Sequence, residues 1–376
     1  MFLIILFGFL AVFFACLSQK RKVPVIDACD RVTVYKYKDF SFVYFAISFL
    51  LLAVPCFFCA EGTDMPIYVQ LYNNWTLADL TDLSFESGFM LLCMFLRLFF
   101  GNAYIGLGII KLVSIFLVYK SLYILKDRLN LGFSVLSYVV LLYIFSFHLL
   151  RMSLALGMIF LALTYELTGK SKRAVLLIIF AFLFHYSSVI VLMTFCIYKI
   201  LGKKLTVAKI TVLSLVLILL YGNIVPILQY IVPAIKFFNK YKTYLNNANS
   251  YIGIVQIVLF IPIAYILINL YRKGIQDKFY ILNTILGIML FFAGTLGYLL
   301  PVISRTVYYF FFCVLTLFAS TPLVKDKCVF VLGKVRINSV TLLAFLYLIM
   351  QVAIMYVLNN SFVSNGLTQY TLWLNK

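Results

Sequence analysis

HLLRMSLALGMIFLALTYELTGKSKRAVLLIIFAFLFHYSSVIV, residues 148–191, decides how this chain is read. The stretch holds both histidines of the protein, His148 and His185, and sets Arg151 at the head of an apolar run. A charged side chain at the centre of a bilayer costs about 2.5–3.5 kcal/mol on insertion scales, so such residues face a cavity or a partner. The basic turn Lys170-Ser171-Lys172-Arg173 separates two apolar segments, 152–168 and 174–198. The stretch is expected to line a polar cavity in a polytopic membrane protein.

Working outward, the whole chain has the composition such a protein needs. Of its 376 residues 65% are hydrophobic and 11% charged, against about 25% charged in an ordinary soluble domain. Apolar runs of spanning length recur from end to end. Helices satisfy their own backbone in lipid, whereas a barrel requires apolar–polar alternation in segments of about ten residues, which is absent. The expected fold is therefore an all-α membrane bundle forming one domain, residues 1–376, with external loops at 61–84 and 223–252. The net charge of +19 would suggest nucleic acid in a soluble chain. Here it is read through the positive-inside rule and attraction to anionic lipid, with no nucleic-acid partner. The eight cysteines form no framework, and Cys56-Phe57-Phe58-Cys59 lacks the second ligand pair of a zinc site.

Residues 1–18 lack a basic start and precede Lys20-Arg21-Lys22, which predicts a retained span rather than a cleaved signal. Further spans are expected at 40–60, 104–119, 131–148, 152–168, 207–222, 253–271, 279–299, 306–322 and 338–358. The segments 85–103 and 174–198 decide the parity. If both crossed, the six cations Lys120, Lys126, Arg128, Lys170, Lys172 and Arg173 would lie outside and Arg151 inside. If neither crosses, the arrangement inverts and obeys the positive-inside rule. The second reading gives ten spans instead of twelve and makes 174–198 a re-entrant hairpin with its tip near His185. Tyr186-Ser187-Ser188 supplies polar groups for the bend. Non-helical backbone at that depth needs a protein or water-lined surrounding.

On this topology the external face collects Asp64, Tyr68, Tyr72, Glu86, Arg97, His148, Arg151, Arg305, Tyr308 and Tyr309, with His185 reaching toward them. An arginine fork donates two parallel hydrogen bonds to a phosphate, and two such arginines from distant spans would clamp a pyrophosphate and offset its charge as it leaves. Each residue also has a structural reading. His185 can bond a backbone carbonyl in a packed bundle, and Arg151 can snorkel to the interface. Asp64 can be a solvated turn residue, Glu86 a first-turn helix charge, and the tyrosines an interfacial belt. The basic, tyrosine-rich loop 223–252 either holds substrate or rests on headgroups. No Walker A loop, HExxH or GxSxG occurs, and the sparse external carboxylates predict a metal-independent site without a cofactor.

Five elements in order resemble the EpsG group of Wzy-type polysaccharide polymerases. Gly62-Thr63-Asp64 followed by Tyr68 is similar to the first external loop of that family, and Glu86-Ser87-Gly88-Phe89 to its Glu-x-Gly-aromatic element. Arg151-Met152-Ser153-Leu154-Ala155 resembles an Arg-Gln-x-Leu-Ala motif, with methionine in place of glutamine. Ala181-Phe182-Leu183-Phe184-His185-Tyr186-Ser187 resembles Ala-x-x-Phe-His-x-Ser, and Arg305 with Tyr309-Phe310 a late Arg-x-x-x-Tyr-Phe element. The resemblance implies a polymerase of O-antigen or exopolysaccharide at the periplasmic face of a bacterial inner membrane. It would transfer a growing glycan from undecaprenyl pyrophosphate to the terminal sugar of a lipid-linked repeat unit. His185 is then the candidate base, with Asp64 or Glu86 as fallback. Arg151 and Arg305 would hold the pyrophosphate, and His148, Arg97, Tyr68, Tyr72, Tyr308 and Tyr309 would join them around the substrate. Membrane lipids surround the protein, and a chain-length regulator is a candidate partner. The rival readings are a flippase for the same lipid-linked sugars and an O-antigen ligase.

Overall fold

In the computed structural model the residues described are 2–19, 25–26, 32–33, 41–81, 85–202, 205–234, 254–272, 277–299, 305–323, 328–332, 335–354, 364–367 and 370–375. The chain is an all-α polytopic bundle. Its helices are α1 Phe2–Leu17, α2 Ser41–Phe58, α3 Met65–Asn74, α4 Ser87–Phe99, α5 Ala103–Ile124, α6 Leu131–Leu141 and α7 Leu150–Leu167. They continue as α8 Ser171–Phe184, α9 Val189–Leu201, α10 Val207–Ala234, α11 Ile254–Arg272, α12 Lys278–Leu299, α13 Val307–Ser320 and α14 Ser339–Val352. Two short antiparallel pairs, Val25–Ile26 with Val32–Thr33 and Cys328–Leu332 with Val335–Asn338, lie outside the helices.

Among the described residues, α2, α5, α7 and α12 are long and apolar enough to cross a membrane by themselves, and shorter apolar helices accompany them. The outward faces are apolar. Phe9 on α1, Leu219 on α10 and Leu346 with Ile349 on α14 are all exposed, as lipid contact demands and as water would penalise. Side chains able to accept a backbone N–H set several helix starts. Asn102, Asn130 and Asn338 each accept one in the first turn of α5, α6 and α14, at 2.7–2.9 Å, using donors a helix start otherwise leaves free.

The core centres on α13, buried from Tyr309 through Ala319. Phe312 meets Phe160 of α7 edge-on at 5.3 Å. Thr316 donates to Asn283 of α12 at 2.8 Å, so these two buried polar groups satisfy each other.

Of the two segments that decide the parity, 174–198 turns back. Lys199, near the end of α9, lies 3.2 Å from Ser171 at the start of α8, so the two arms are antiparallel and both ends share one face. Arms of 14 and 13 residues reach about 20 Å at 1.5 Å per residue, short of a core about 30 Å thick. The re-entrant hairpin expected near 174–198 is thus present, with arms starting at Ser171. Helix α4 also starts and ends beside α3: Glu86 adjoins Tyr68 through Arg151, and Arg97 binds the carbonyls of Tyr72, Asn73 and Trp75. Leu91, Phe95, Leu98 and Phe99 form its exposed apolar stripe. Setting aside α3, α4, α8 and α9 leaves ten helices among the described residues.

Two expected loops differ, the first because residues 61–84 hold α3 and the 3-10 helix Leu77–Thr81. The loop foreseen at 223–252 begins later, because α10 continues to Ala234. Its lysines and tyrosines from Lys236 to Tyr251, and Asp82 in the first loop, lie outside the described residues. On the face opposite the basic turns, the tail packs on the segment after α2. Ala60 donates to the Thr371 carbonyl at 3.0 Å, Thr63 to that of Asn365 at 3.1 Å, and Trp373 stacks on Phe58 at 5.7 Å.

Candidate functional site

The site is built where three helix ends meet. Glu86 sits in the loop ahead of α4, His185 ends α8 at the hairpin tip, and Arg151 lies in the first turn of α7. The close approach of α4 to α8 depends on Gly88. A Cβ there would lie 2.7 Å from the Leu183 carbonyl oxygen and 2.9 Å from Leu183 Cβ. Any side chain at position 88 would therefore push Glu86 away from His185.

The Glu86 carboxylate is engaged on both oxygens. Oε1 meets His185 Nδ1 at 2.9 Å, and Oε2 accepts from Arg151 Nη1. Arg151 Nε donates to the Tyr68 hydroxyl at 3.2 Å, and the guanidinium carbon lies 5.1 Å from the Phe85 ring centroid. The Glu86 side chain is 4% exposed, while Arg151 and His185 keep 22% and 18%. The acid is enclosed and its two partners keep open faces. Burial raises the Glu86 pKa, but the His185 hydrogen bond and the Arg151 charge outweigh it and hold the group down to about 2. An ionised carboxylate only accepts, so Nδ1 of His185 carries the hydrogen. In the neutral ring Nε2 is then the free base. Around the tip, Tyr186 donates to the Phe85 carbonyl at 3.1 Å, and Ser187 pairs with the Tyr309 hydroxyl at 3.1 Å.

Of the residues singled out in the sequence, Glu86, Arg151, His185 and Tyr68 therefore converge, with Tyr309 bonded to the tip. A second group lies beside them. His148 is buried and edge-on to Phe145 at 6.0 Å, its Nδ1 without a partner among the described residues. Tyr308 packs on the same Phe145 with tilted rings, centroids 4.3 Å apart, and Arg305 is exposed just ahead of α13. Gly62, at φ +135°, passes so close to His148 that a Cβ there would meet the His148 Cβ at 2.8 Å. Asp64 precedes α3 and makes no side-chain capping bond.

Two expected substrate residues are engaged elsewhere. Tyr72 is fully buried and donates to the Phe100 carbonyl at 2.9 Å. Arg97 turns away from the Glu86 cluster and closes the end of α3 through three backbone carbonyls. The sequence reading also passed over two charges. Lys111 is buried in α5 with its ammonium 2.9 Å from the Cys59 carbonyl, and Glu166 pairs with Lys199 at 2.6 Å. A cation in an apolar run was the available signal for Lys111.

The chain is thus an α-helical membrane protein in which a histidine and an arginine share one enclosed carboxylate. The chain belongs to the EpsG family, whose model matches residues 42–372, a family of polysaccharide-polymerase-like membrane proteins. Comparison with curated proteins gave no match, and comparison with solved structures gave none.

Proposed function

We propose that this protein polymerises lipid-linked glycan repeat units at the outer face of a bacterial inner membrane, with undecaprenyl pyrophosphate as leaving group. The observation that carries this reading is the Glu86 carboxylate held between His185 Nδ1 and the Arg151 guanidinium.

His185 Nε2 takes the proton of the acceptor hydroxyl as its oxygen attacks the anomeric carbon of the donor glycan. The bond from that carbon to the pyrophosphate oxygen breaks, the electron pair leaves with the diphosphate, and the proton stays on the imidazole until solvent removes it. Glu86 fixes the tautomer and stabilises the imidazolium, and so acts as the orienting group instead of a second base. A guanidinium has five N–H donors. Two are engaged by Glu86 and Tyr68, and the others remain for phosphate oxygens. Arg305, exposed just ahead of α13, would meet the diphosphate if it extends that way, with buried His148 nearby. Holding two lipid-anchored reactants in line supplies much of the rate. The donor sugar carries its own activation, so no cofactor is needed.

The test is glycan length profiling in a deletion strain. Restoring this chain should restore long polymers, while single repeats reach the surface with or without it. Loss of single repeats together with polymer in the deletion strain would replace this reading with a flippase.

A further inference from the structure

Between α3, the 3-10 turn Leu77–Thr81 and the start of α4 lies a cavity of about 300 Å³, at the lower end of small-ligand sites. Its lining includes Trp75, Phe85 and Met90 on the apolar side and Gln70, Asn74 and Asp79 on the polar side. A pyranose has the matching form, with an apolar C–H face and a rim of hydroxyls. Gln70 and Asn74 are one helical turn apart on α3 and so share a face. Asp79 Oδ2 accepts from the Thr76 N–H at 2.7 Å and the Thr76 hydroxyl at 2.9 Å. Its Oδ1 lies outside those bonds. These bonds hold the carboxyl below its ordinary pKa, so it stays an acceptor for hydroxyl donors.

The aromatic wall is fixed before any ligand arrives. Trp75 is edge-on to Phe85 at 5.7 Å and to Phe89 at 6.1 Å, and Arg97 binds its carbonyl at 2.6 Å. Phe85 is shared with the site already described, since the Arg151 guanidinium lies over the same ring. We propose that this cavity is a carbohydrate subsite, which holds one sugar ring of the lipid-linked glycan beside the reaction centre. The proposal rests on the polymerase reading for the identity of the glycan. The Asp79 charge favours neutral or amino sugars over uronic acids. Arg97 is then a positioning residue for Trp75.

The chain has two tryptophans, so Trp373→Phe leaves Trp75 as the reporter. The protein is purified in a sugar-free detergent and titrated with the oligosaccharide released by mild acid from the host's own lipid-linked repeat units. Trp75 emission should change saturably. The Gln70→Ala/Asn74→Ala double variant should weaken binding about ten-fold, the effect of two lost neutral hydrogen bonds. In cells that double variant should shorten the glycan at an unchanged protein level. No emission change with the oligosaccharide, or an equal change with undecaprenyl phosphate alone, overturns the subsite. If the subsite variant keeps wild-type length while His185→Ala does not, the subsite falls and the polymerase reading stands. If His185→Ala and Arg151→Ala leave glycan length untouched, the polymerase reading falls, and the titration decides sugar binding separately.

Discussion

The two ends of the α8–α9 hairpin each hold a glutamate whose side chain is 4% exposed and paired with a cation. At the tip, both oxygens of Glu86 are engaged, and its partners His185 and Arg151 keep open faces. At the base, Glu166 bonds Lys199 at 2.6 Å through one oxygen, the other has no partner among the described residues, and Lys199 is 42% exposed. The base pair ties the returning arm to α7. The tip cluster adds a histidine, a second oxygen contact and an aromatic surround. An ion pair in a membrane bundle is therefore uninformative by itself. What sets the tip apart from the base is a titratable partner with a second ring nitrogen and an open face.

The tip should dominate activity. His185→Ala is expected to reduce polymer by about 10²–10⁴-fold, the range a positioned general base contributes, read as loss of long chains in a strain with normal single repeats. Arg151→Lys should be nearly as damaging as Arg151→Ala, because an ammonium cannot donate a parallel pair. Wild-type length in the lysine variant would reduce the role to charge alone. Glu86→Gln keeps the shape and removes the charge that sets the His185 tautomer, so turnover should fall by on the order of 10–100-fold, less than loss of the base.

The Glu86 charge also predicts a pH signature. Its folded pKa lies near 2, below the ordinary 4.5, so its stabilising contribution is complete above about 4.5 and is lost as the pH falls through about 2. The melting gap between wild type and Glu86→Gln should narrow as the pH falls from about 4.5 toward 2, and a gap unchanged at about pH 2 would contradict the assignment.

The base should govern stability instead. Lys199→Met leaves a buried carboxylate without its partner and should cost about 1–3 kcal/mol. Glu166→Gln should cost less, because the freed lysine is already close to solvent. Thermal melts in detergent measure both, with activity per folded molecule unchanged. The smallest effect expected is that of a chelator on polymer formation, namely none. Loss that Mg²⁺ restores would show that a metal takes part.

Much of this was legible in the sequence, and the limits have physical causes. Charge asymmetry about the basic turns pointed to the hairpin, because the positive-inside rule acts on loop composition alone. The convergence of Glu86, Arg151 and His185 followed from their placement at one membrane face. Composition does not reveal which face an arginine uses, so Arg97 and Tyr72 were expected beside substrate, whereas they close α3 and α4 against each other. Pro226 and Pro233 suggested a loop, yet α10 runs through both. The cavity beside Trp75 depends on three elements meeting, and no single stretch encodes that.

The central claim is tested most directly with purified protein in detergent, given the host's own lipid-linked repeat units and followed by gel electrophoresis of the glycan. The account predicts a ladder of lengthening products with wild-type protein and with Lys199→Met, and single repeats only with His185→Ala. A ladder made by His185→Ala would contradict it.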